Sequence, residues 1–282
     1  MADRLTFPIR SDKVAMSAQV QSVLLDRRSP FQRIEIVRTP AFGRVMLLDG
    51  HIQLSELDEH AYHEALVQVP LLNMRQPRSA LVVGGGDGGT IRELCRCASL
   101  ERIDMVEIDA EVVQASRDVW PELSSGAFED PRVHLHIADA FAFVKSSDGM
   151  YGVVVVDITD VYEDEDESLS QMLFTDEFYS DLRRLLRPEG FVVTQADNPV
   201  FCPHTQEEVL SMFARVFPKA GSYFSVVPSF GGFSAFAWAS LGSELSPEWP
   251  ETAYRSKFRY LNPVTYRYGL LGQPLGSSAD PA

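Results

Sequence analysis

The sequence predicts an α/β protein with a parallel-rich sheet, preceded by a small N-terminal β-strand domain. Three observations point there. Before residue 57 the apolar residues fall in short or alternating runs separated by turn dipeptides. After it, β-branched runs alternate with segments of helical spacing, the rhythm of a parallel sheet covered on both faces. At the first strand–helix junction of that second part stands Gly84-Gly85-Gly86-Asp87-Gly88-Gly89. The expected organisation is a β domain over 1–57, a larger α/β domain over 58–270 and a fraying tail over 271–282, rich in Gly, Pro, Ser and Ala.

Segments 20–25, 32–38 and 44–48 read as strands, punctuated by Ser29-Pro30, Thr39-Pro40 and Asp49-Gly50. Asp49-Gly50 followed by the run 51–54 is a hairpin signal. Over 58–72, Ala61, Ala65, Leu66 and Val69 recur at helical spacing. Residues 80–83 form a short buried strand that enters the glycine run, and a helix follows over 90–97. Strand 103–108, helix 110–120, strand 133–137 and helix 140–145 continue the alternation. Residues 153–156 are consecutive valines, a buried strand. A helix over 178–186 is expected to stop at Pro188 and Gly190. Strand 191–195, helix 206–216 and an antiparallel hairpin pair over 221–240 complete the reading.

Forty Asp and Glu against 25 Lys and Arg give a net charge of −15. Nucleic acids and anionic membranes are bound through a surplus of Lys and Arg, so neither is an expected partner. Small cations are. An acidic surface also serves solubility alone, so the placement of the acids has to decide. No apolar run approaches a membrane span, and the first residues lack a secretory pattern. Cys95 and Cys97 stand two apart and form no CxxC pair, which predicts a reduced, cytoplasmic protein without disulfides. His60 and His63 beside acids are too little to predict a metal.

Gly84, Gly86 and Gly89 satisfy G-x-G-x-x-G, which lets backbone approach a nucleotide-like ligand at a helix N-terminus. Alone the motif fits a dinucleotide and a nucleoside equally. Acids at successive strand ends narrow it: Glu107, where a carboxylate can grip ribose hydroxyls, then Asp139 followed by the small Ala140, then Asp157. Any one of them is otherwise a helix N-cap. Asp87 is the informative residue. A loop built for phosphate does not carry an anion at its centre, so the field there favours a cationic nucleoside.

Several motifs resemble the spermidine synthase family. They are Leu48-Asp49-Gly50-His51-Ile52-Gln53, Asp58-Glu59-His60-Ala61-Tyr62-His63-Glu64, the glycine run with Arg92-Glu93, Val106-Glu107-Ile108-Asp109, Asp130-Pro131-Arg132-Val133 and Asp139-Ala140. The likeness resumes at 174–179, Gln195, Gly231-Gly232-Phe233 and Tyr260-Leu261-Asn262-Pro263, spanning about residues 20–268. It implies a methyltransferase-like Rossmann fold and a polyamine aminopropyltransferase. Such enzymes move an aminopropyl group from decarboxylated S-adenosylmethionine to an amine such as putrescine, release methylthioadenosine, and use no metal or other cofactor. A homodimer or homotetramer is implied. By resemblance Gln32, Glu107, Asp139 and Ala140 contact the adenosyl moiety, with Gly84 and Gly86 allowing its approach. Asp87 holds the aminopropyl ammonium. Tyr62, His63 and Asp160 line the amine site together with Gln195 and Phe230, and Asp157 is the catalytic base, assisted by Tyr62.

The chain departs from the family pattern in two places. After Asp157-Ile158-Thr159-Asp160 the family's prolines and glycine give way to Val161-Tyr162 and five consecutive acids, Glu163–Glu167. Phe230 stands where a tyrosine usually precedes the glycines. Both changes bear on the acceptor amine more than on the reaction. Three other readings stay open: an S-adenosylmethionine-dependent N-methyltransferase acting on a diamine, a non-catalytic nucleoside- or polyamine-binding protein, and a nicotinamide-dependent dehydrogenase, which Asp87 disfavours.

Overall fold

The computed structural model describes residues 4–9, 14–159, 174–250 and 257–272. Asp160 and the altered stretch 161–173, with its acidic run, lie outside these residues. Near the N-terminus, β1 (Arg4–Pro8) and β2 (Ala15–Gln19) form a two-stranded ribbon. A four-stranded meander follows: β3 (Ser22–Arg28), β4 (Arg33–Thr39), β5 (Gly43–Leu48) and β6 (His51–Ser55). The strand expected over 20–25 begins two residues later and runs on to Arg28, because the chain has just left β2. Asp49 at φ 47° and Gly50 at φ 82° make the β5–β6 turn, the left-handed pair that a two-residue hairpin loop requires.

One face of the meander buries Ile34, Ile36, Met46, Leu48 and Leu54 against Val112, Ala115, Trp120 and Leu123. Those partners lie on α4 (Ala110–Val119) and around α5 (Pro121–Ser124). The alternation of β4, Ile34 and Ile36 inward and Arg33 and Glu35 on the opposite face, fixes which face turns in.

The predicted helix over 58–72 is a single rod with an unusual middle. α1 (Glu59–His63) passes through a π-turn (Glu64–Gln68) into α2 (Val69–Leu72). Pro70 supplies the reason. It offers no N–H, and its ring crowds the carbonyl of the preceding turn; a wider pitch relieves both.

Seven strands form the main sheet in the order β12-β13-β11-β10-β7-β8-β9. They are β7 (Ser79–Gly84), β8 (Arg102–Glu107), β9 (Val133–Ile137), β10 (Tyr151–Asp157), β11 (Leu186–Gln195), β12 (Lys219–Val227) and β13 (Gly232–Ser240). β7 to β11 run parallel, and the β12–β13 pair closes the sheet antiparallel. Successive side chains go to opposite layers. Ala80, Val82, Val153 and Val155 pack with Leu66 and with Ile91 and Leu94 of α3 (Gly89–Cys95). Leu81, Val83, Val154 and Val156 pack with Val144 of α6 (Ala140–Ser146), Phe178 and Leu182 of α7 (Asp176–Arg184) and Phe213 of α8 (Pro203–Val216).

α7 corrects an expectation. It ends at Arg184, and Pro188 and Gly190 lie inside β11 rather than beyond a helix stop. The β10–β11 ladder shifts register between Tyr151 and Val153, and the missing N–H of Pro188 falls in that irregular stretch. The closing helix α9 (Pro263–Leu271) carries no expectation from the sequence, although Asn262, Pro263 and Thr265 form a capping box.

Glu64, on the π-turn, anchors the segment leading into α9. Its carboxylate accepts the backbone N–H groups of Arg259, Tyr260 and Leu261 at 2.7, 2.9 and 2.9 Å. Glu64→Leu orphans all three donors, so urea denaturation should register a loss of about 2–4 kcal/mol. A loss under about 1 kcal/mol would mean that these bonds are replaced by water at little cost.

Candidate active site

β9, β8, β7, β10 and β11 lie side by side and end at one edge of the sheet. The chain moves from β7 outward through β8 to β9, then returns to the other side of β7 for β10. That reversal marks the point where open α/β sheets hold ligands. Along the edge stand Asp139, Glu107, the glycine loop, Asp157 and Gln195, each at or just beyond a strand end.

The glycines of the loop answer first to the protein's own groups. Gly84 sits at φ 79°, and a side chain there would overlap the carbonyl oxygen of Asp157. A Cβ on Gly86 would fall 2.9 Å from both Glu107 Oε2 and Val112 Cγ1. The loop amides are also spoken for. Gly85 N–H donates to the Asp157 carbonyl (2.8 Å) and Gly88 N–H to the Gly85 carbonyl (2.9 Å). Gly86 N–H donates to Glu107 Oε2 (3.1 Å) and Gly89 N–H to Asp87 Oδ1 (2.7 Å). A cradle for pyrophosphate needs such amides free, so this loop is built for something else.

Two acids face each other across the loop. Asp157 accepts hydrogen bonds from the Tyr62 hydroxyl at Oδ1 (2.8 Å) and from the Thr90 hydroxyl at Oδ2 (2.5 Å). Burial and the charge of Asp87 push its pKa up, against the opposing pull of His63 and the two hydroxyls. Opposite, His63 Nε2 lies 3.3 Å from Asp87 Oδ1, and His63 Nδ1 lies 2.9 Å from Glu59 Oε2. Burial alone would depress the imidazole; the charge of Asp87 and the hydrogen bonds to Asp87 and Glu59 raise it to about 10. Glu59 is likewise opposed by burial, yet His63 and Arg92 hold it down near 2. One ligand atom each from His63, Asp87 and Asp157 fits within 4.8 Å, a spacing suited to one small cation.

At the end of β8, Glu107 accepts the N–H groups of Gly86 and Asp109 (3.1 and 2.8 Å). Burial pushes its carboxyl up to about 7, and the Asp109 charge adds to this. Asp109 caps α4 through the N–H of Glu111 (3.0 Å). Its Oδ2 accepts from Ser29 (2.6 Å) and from the Gln32 side-chain amide (2.9 Å), so the meander reaches into this corner. Asp139 caps α6 by accepting from Phe141 N–H (2.9 Å), and Ala140 is buried behind it. Gln195 accepts the Asp197 N–H with its amide oxygen (3.0 Å). Phe230 is buried and meets Tyr62 edge to face at 5.7 Å.

The structure thus gathers Tyr62, His63, Asp87, Asp157 and Phe230 on one side of the loop and Glu107, Gln32 and Gly86 on the other. Asp139 stands apart as a helix cap. Asp160 lies outside the described residues. Sequence reasoning missed Thr90, Glu59, Arg92 and Asp109. Glu59 was visible as an acid one helical turn before His63; Thr90 carried no signal beyond its place at the start of α3.

Residues 59–244 match the spermine/spermidine synthase domain, and residues 7–56 match the spermidine synthase tetramerisation domain. A polyamine aminopropyltransferase of Sulfolobus acidocaldarius is 37% identical over 221 residues, covering 78% of this chain and 72% of the relative. Spermidine synthase 1 of Hyoscyamus niger is 38% identical over 218 residues, covering 77% of this chain and 67% of the relative. A crystal structure of spermidine synthase in complex with the transition state analogue AdoDATO superposes with a TM-score of 0.88 at 27% identity, covering 95% of this chain and 92% of the other. Spermidine synthase from Thermotoga maritima gives a TM-score of 0.87 at 27% identity, covering 95% and 90%.

Thr90→Val removes one donor from Asp157 while keeping the shape of the side chain. Unfolding free energy should fall by about 1–2 kcal/mol. The ionised carboxylate needs that donor more than the acid does, so the gap between variant and wild type should be wider near neutral pH than in acid. An equal gap at both would mean that Thr90 does not serve the carboxylate.

Proposed function

The chain belongs to the spermine/spermidine synthase family, and from that premise we propose that it transfers the aminopropyl group of decarboxylated S-adenosylmethionine to a di- or polyamine, putrescine to spermidine above all, releasing methylthioadenosine. The observation that carries this reading is the convergence of Asp87 and Asp157 beside a loop in which the amides of Gly85, Gly86, Gly88 and Gly89 are already occupied. Such a place attracts cations and offers nothing to phosphate. Both ring nitrogens of His63 face carboxylate oxygens, which only accept, so both carry protons and neither offers a metal a lone pair. The cation that suits the cluster is an ammonium group.

In this reading the nucleoside end of the donor lies toward Glu107, whose ionised carboxylate accepts two ribose hydroxyls. Gln32, Asp139 and Ala140 stand on the adenosyl side, and Gly84 and Gly86 let the ligand approach. Asp87 takes the aminopropyl ammonium. Ordinary S-adenosylmethionine would bring a carboxylate against that anion, which selects for the decarboxylated donor. Tyr62, Phe230 and Gln195 border the amine side, with Asp160 assigned there by resemblance. His63, expected on that side, spends both nitrogens on Glu59 and Asp87.

The chemistry is a displacement at carbon. The amine nitrogen forms a bond to the aminopropyl carbon, the carbon–sulfur bond breaks, and sulfur keeps the electron pair as a neutral thioether. The proton shed by the nitrogen goes to Asp157. A carboxyl pKa raised by burial brings that base closer to neutrality, and the Tyr62 and Thr90 hydroxyls fix its direction. Holding nucleophile and carbon in line supplies much of the remaining acceleration. No redox step, metal or further cofactor enters this scheme.

The match to a tetramerisation domain supports a homo-oligomer. β3, the outer strand of the meander, leaves Val23 exposed, and Phe31 is exposed just beyond it. No helix among the described residues is long and apolar enough to cross a membrane.

An acceptor screen with the decarboxylated donor tests the proposal directly, using putrescine, cadaverine, agmatine and spermidine with products read by mass. Methylthioadenosine release with putrescine is expected; no release with any amine, or tighter calorimetric binding of ordinary S-adenosylmethionine, overturns it. Asp157→Asn should cut kcat by about a hundredfold or more with donor affinity little changed; near-normal turnover would remove Asp157 as the base. Because Glu107 titrates near 7, methylthioadenosine should bind more tightly as pH rises through that value and level off above it. Glu107→Gln should flatten the profile, and an unchanged slope would assign the titration elsewhere.

A further inference from the structure

We propose that Glu59, backed by Arg92, is a positioning residue that acts through His63 to aim the carboxylate of Asp87 at the ammonium end of the donor. The inference rests on the aminopropyl-transfer reading and adds to it residues that do not touch the substrate.

Four side chains form a line. Arg92 Nη2 lies 3.0 Å from Glu59 Oε2, the same oxygen lies 2.9 Å from His63 Nδ1, and His63 Nε2 lies 3.3 Å from Asp87 Oδ1. Arg259 approaches the other oxygen of Glu59 at 3.7 Å. Glu59 and His63 are only 6% and 1% exposed, so water offers no substitute partner. The line fixes one oxygen of Asp87. Oδ1 takes the imidazolium contact and the Gly89 N–H, whereas Oδ2 receives no hydrogen bond among the described residues. The free oxygen is the one left for an incoming ammonium.

Gly89 shows how closely the ring is fitted. A Cβ there would overlap the imidazole of His63. Gly89 is the first residue of α3, where alanine would favour the helix by up to about 1 kcal/mol. The third glycine of the motif therefore makes room for a protein side chain rather than for a ligand. Without Glu59, Nδ1 would face no acceptor in a dry site, and nothing on that side would hold the ring against Gly89. The other groups around the ring do not replace it. Tyr62 meets the ring edge to face at 5.2 Å, and Asp157, with an oxygen within 4.8 Å of a ring nitrogen, is bonded instead to Tyr62 and Thr90.

The test compares two ligands by calorimetry: the decarboxylated donor, and methylthioadenosine, which shares its nucleoside but lacks the ammonium. Wild type should prefer the cationic ligand by about tenfold or more, the worth of one charge-assisted hydrogen bond. Absence of that preference would sink the aminopropyl reading and this inference together. Given the preference, Glu59→Leu, which leaves Nδ1 no acceptor, should erase most of it and leave methylthioadenosine affinity unchanged. Gly89→Ala should do the same without altering a charge, which covers the case in which Glu59→Leu folds poorly. In an Asp87→Asn background, Glu59→Leu should have no further effect on the preference. Retained preference in both single variants, equal weakening of both ligands, or additivity with Asp87→Asn would each overturn the positioning role while leaving the reaction intact.

Discussion

A carboxylate withdrawn from water must find protons or positive charge, and the ligand edge of this sheet is organised around that requirement. Glu59, Asp87, Glu107 and Asp157 all crowd the turn between β7 and α3. Each is answered differently. Glu59 has Arg92 and an imidazolium, Glu107 has two backbone amides and a partial retreat toward its neutral form, and Asp157 has two hydroxyls. Asp87 alone keeps an oxygen unanswered among the described residues. The protein's own groups thus nearly compensate these charges, and the remaining deficit lies at Asp87. A preset field of this kind needs no rearrangement during the reaction.

The scaffold holds these groups from several directions. Glu59, Tyr62 and His63 come from the rod that precedes the main sheet, and the π-turn beyond them lets that rod accommodate Pro70. Asp58, at its start, accepts from the backbone and hydroxyl of Ser229, next to Phe230. The side of the loop that carries Tyr62 and Phe230 is therefore tied together across more than a hundred residues of sequence. The side that carries Glu107 is tied to the N-terminal meander through Ser29 and Gln32, both bonded to the cap of α4.

Much of this was legible in the sequence, for physical reasons. Strand-end acids and a glycine run follow from chain topology, and the anion in the middle of the run spoke against phosphate before any geometry was known. The alternation of buried runs and helical spacing located the sheet, since its central strands β7 and β10 are apolar on both faces. What stayed hidden depended on pairings without local signature. β1 and β2 alternate weakly, and β2 reads Ala15–Gln19 with little apolar contrast. Pro188 looked like a helix stop because propensity cannot reveal a shifted ladder. The bond from Thr90 to Asp157 joins residues 67 apart, and only the fold brings them together. The family likeness located the acidic pair; it did not disclose that His63 would be turned wholly toward carboxylates.

The occupied amides of the glycine loop carry a lesson for redesign. Neutralising Asp87 would release a single donor, that of Gly89, while the amides of Gly85, Gly86 and Gly88 would still be bonded to Asp157, Glu107 and Gly85. Converting this turn into a dinucleotide grip would mean dismantling three anchoring contacts at once, one of them made by the backbone of β10. Two of the three are main-chain bonds, so exchanging side chains around the turn would leave the amides of Gly85 and Gly88 engaged.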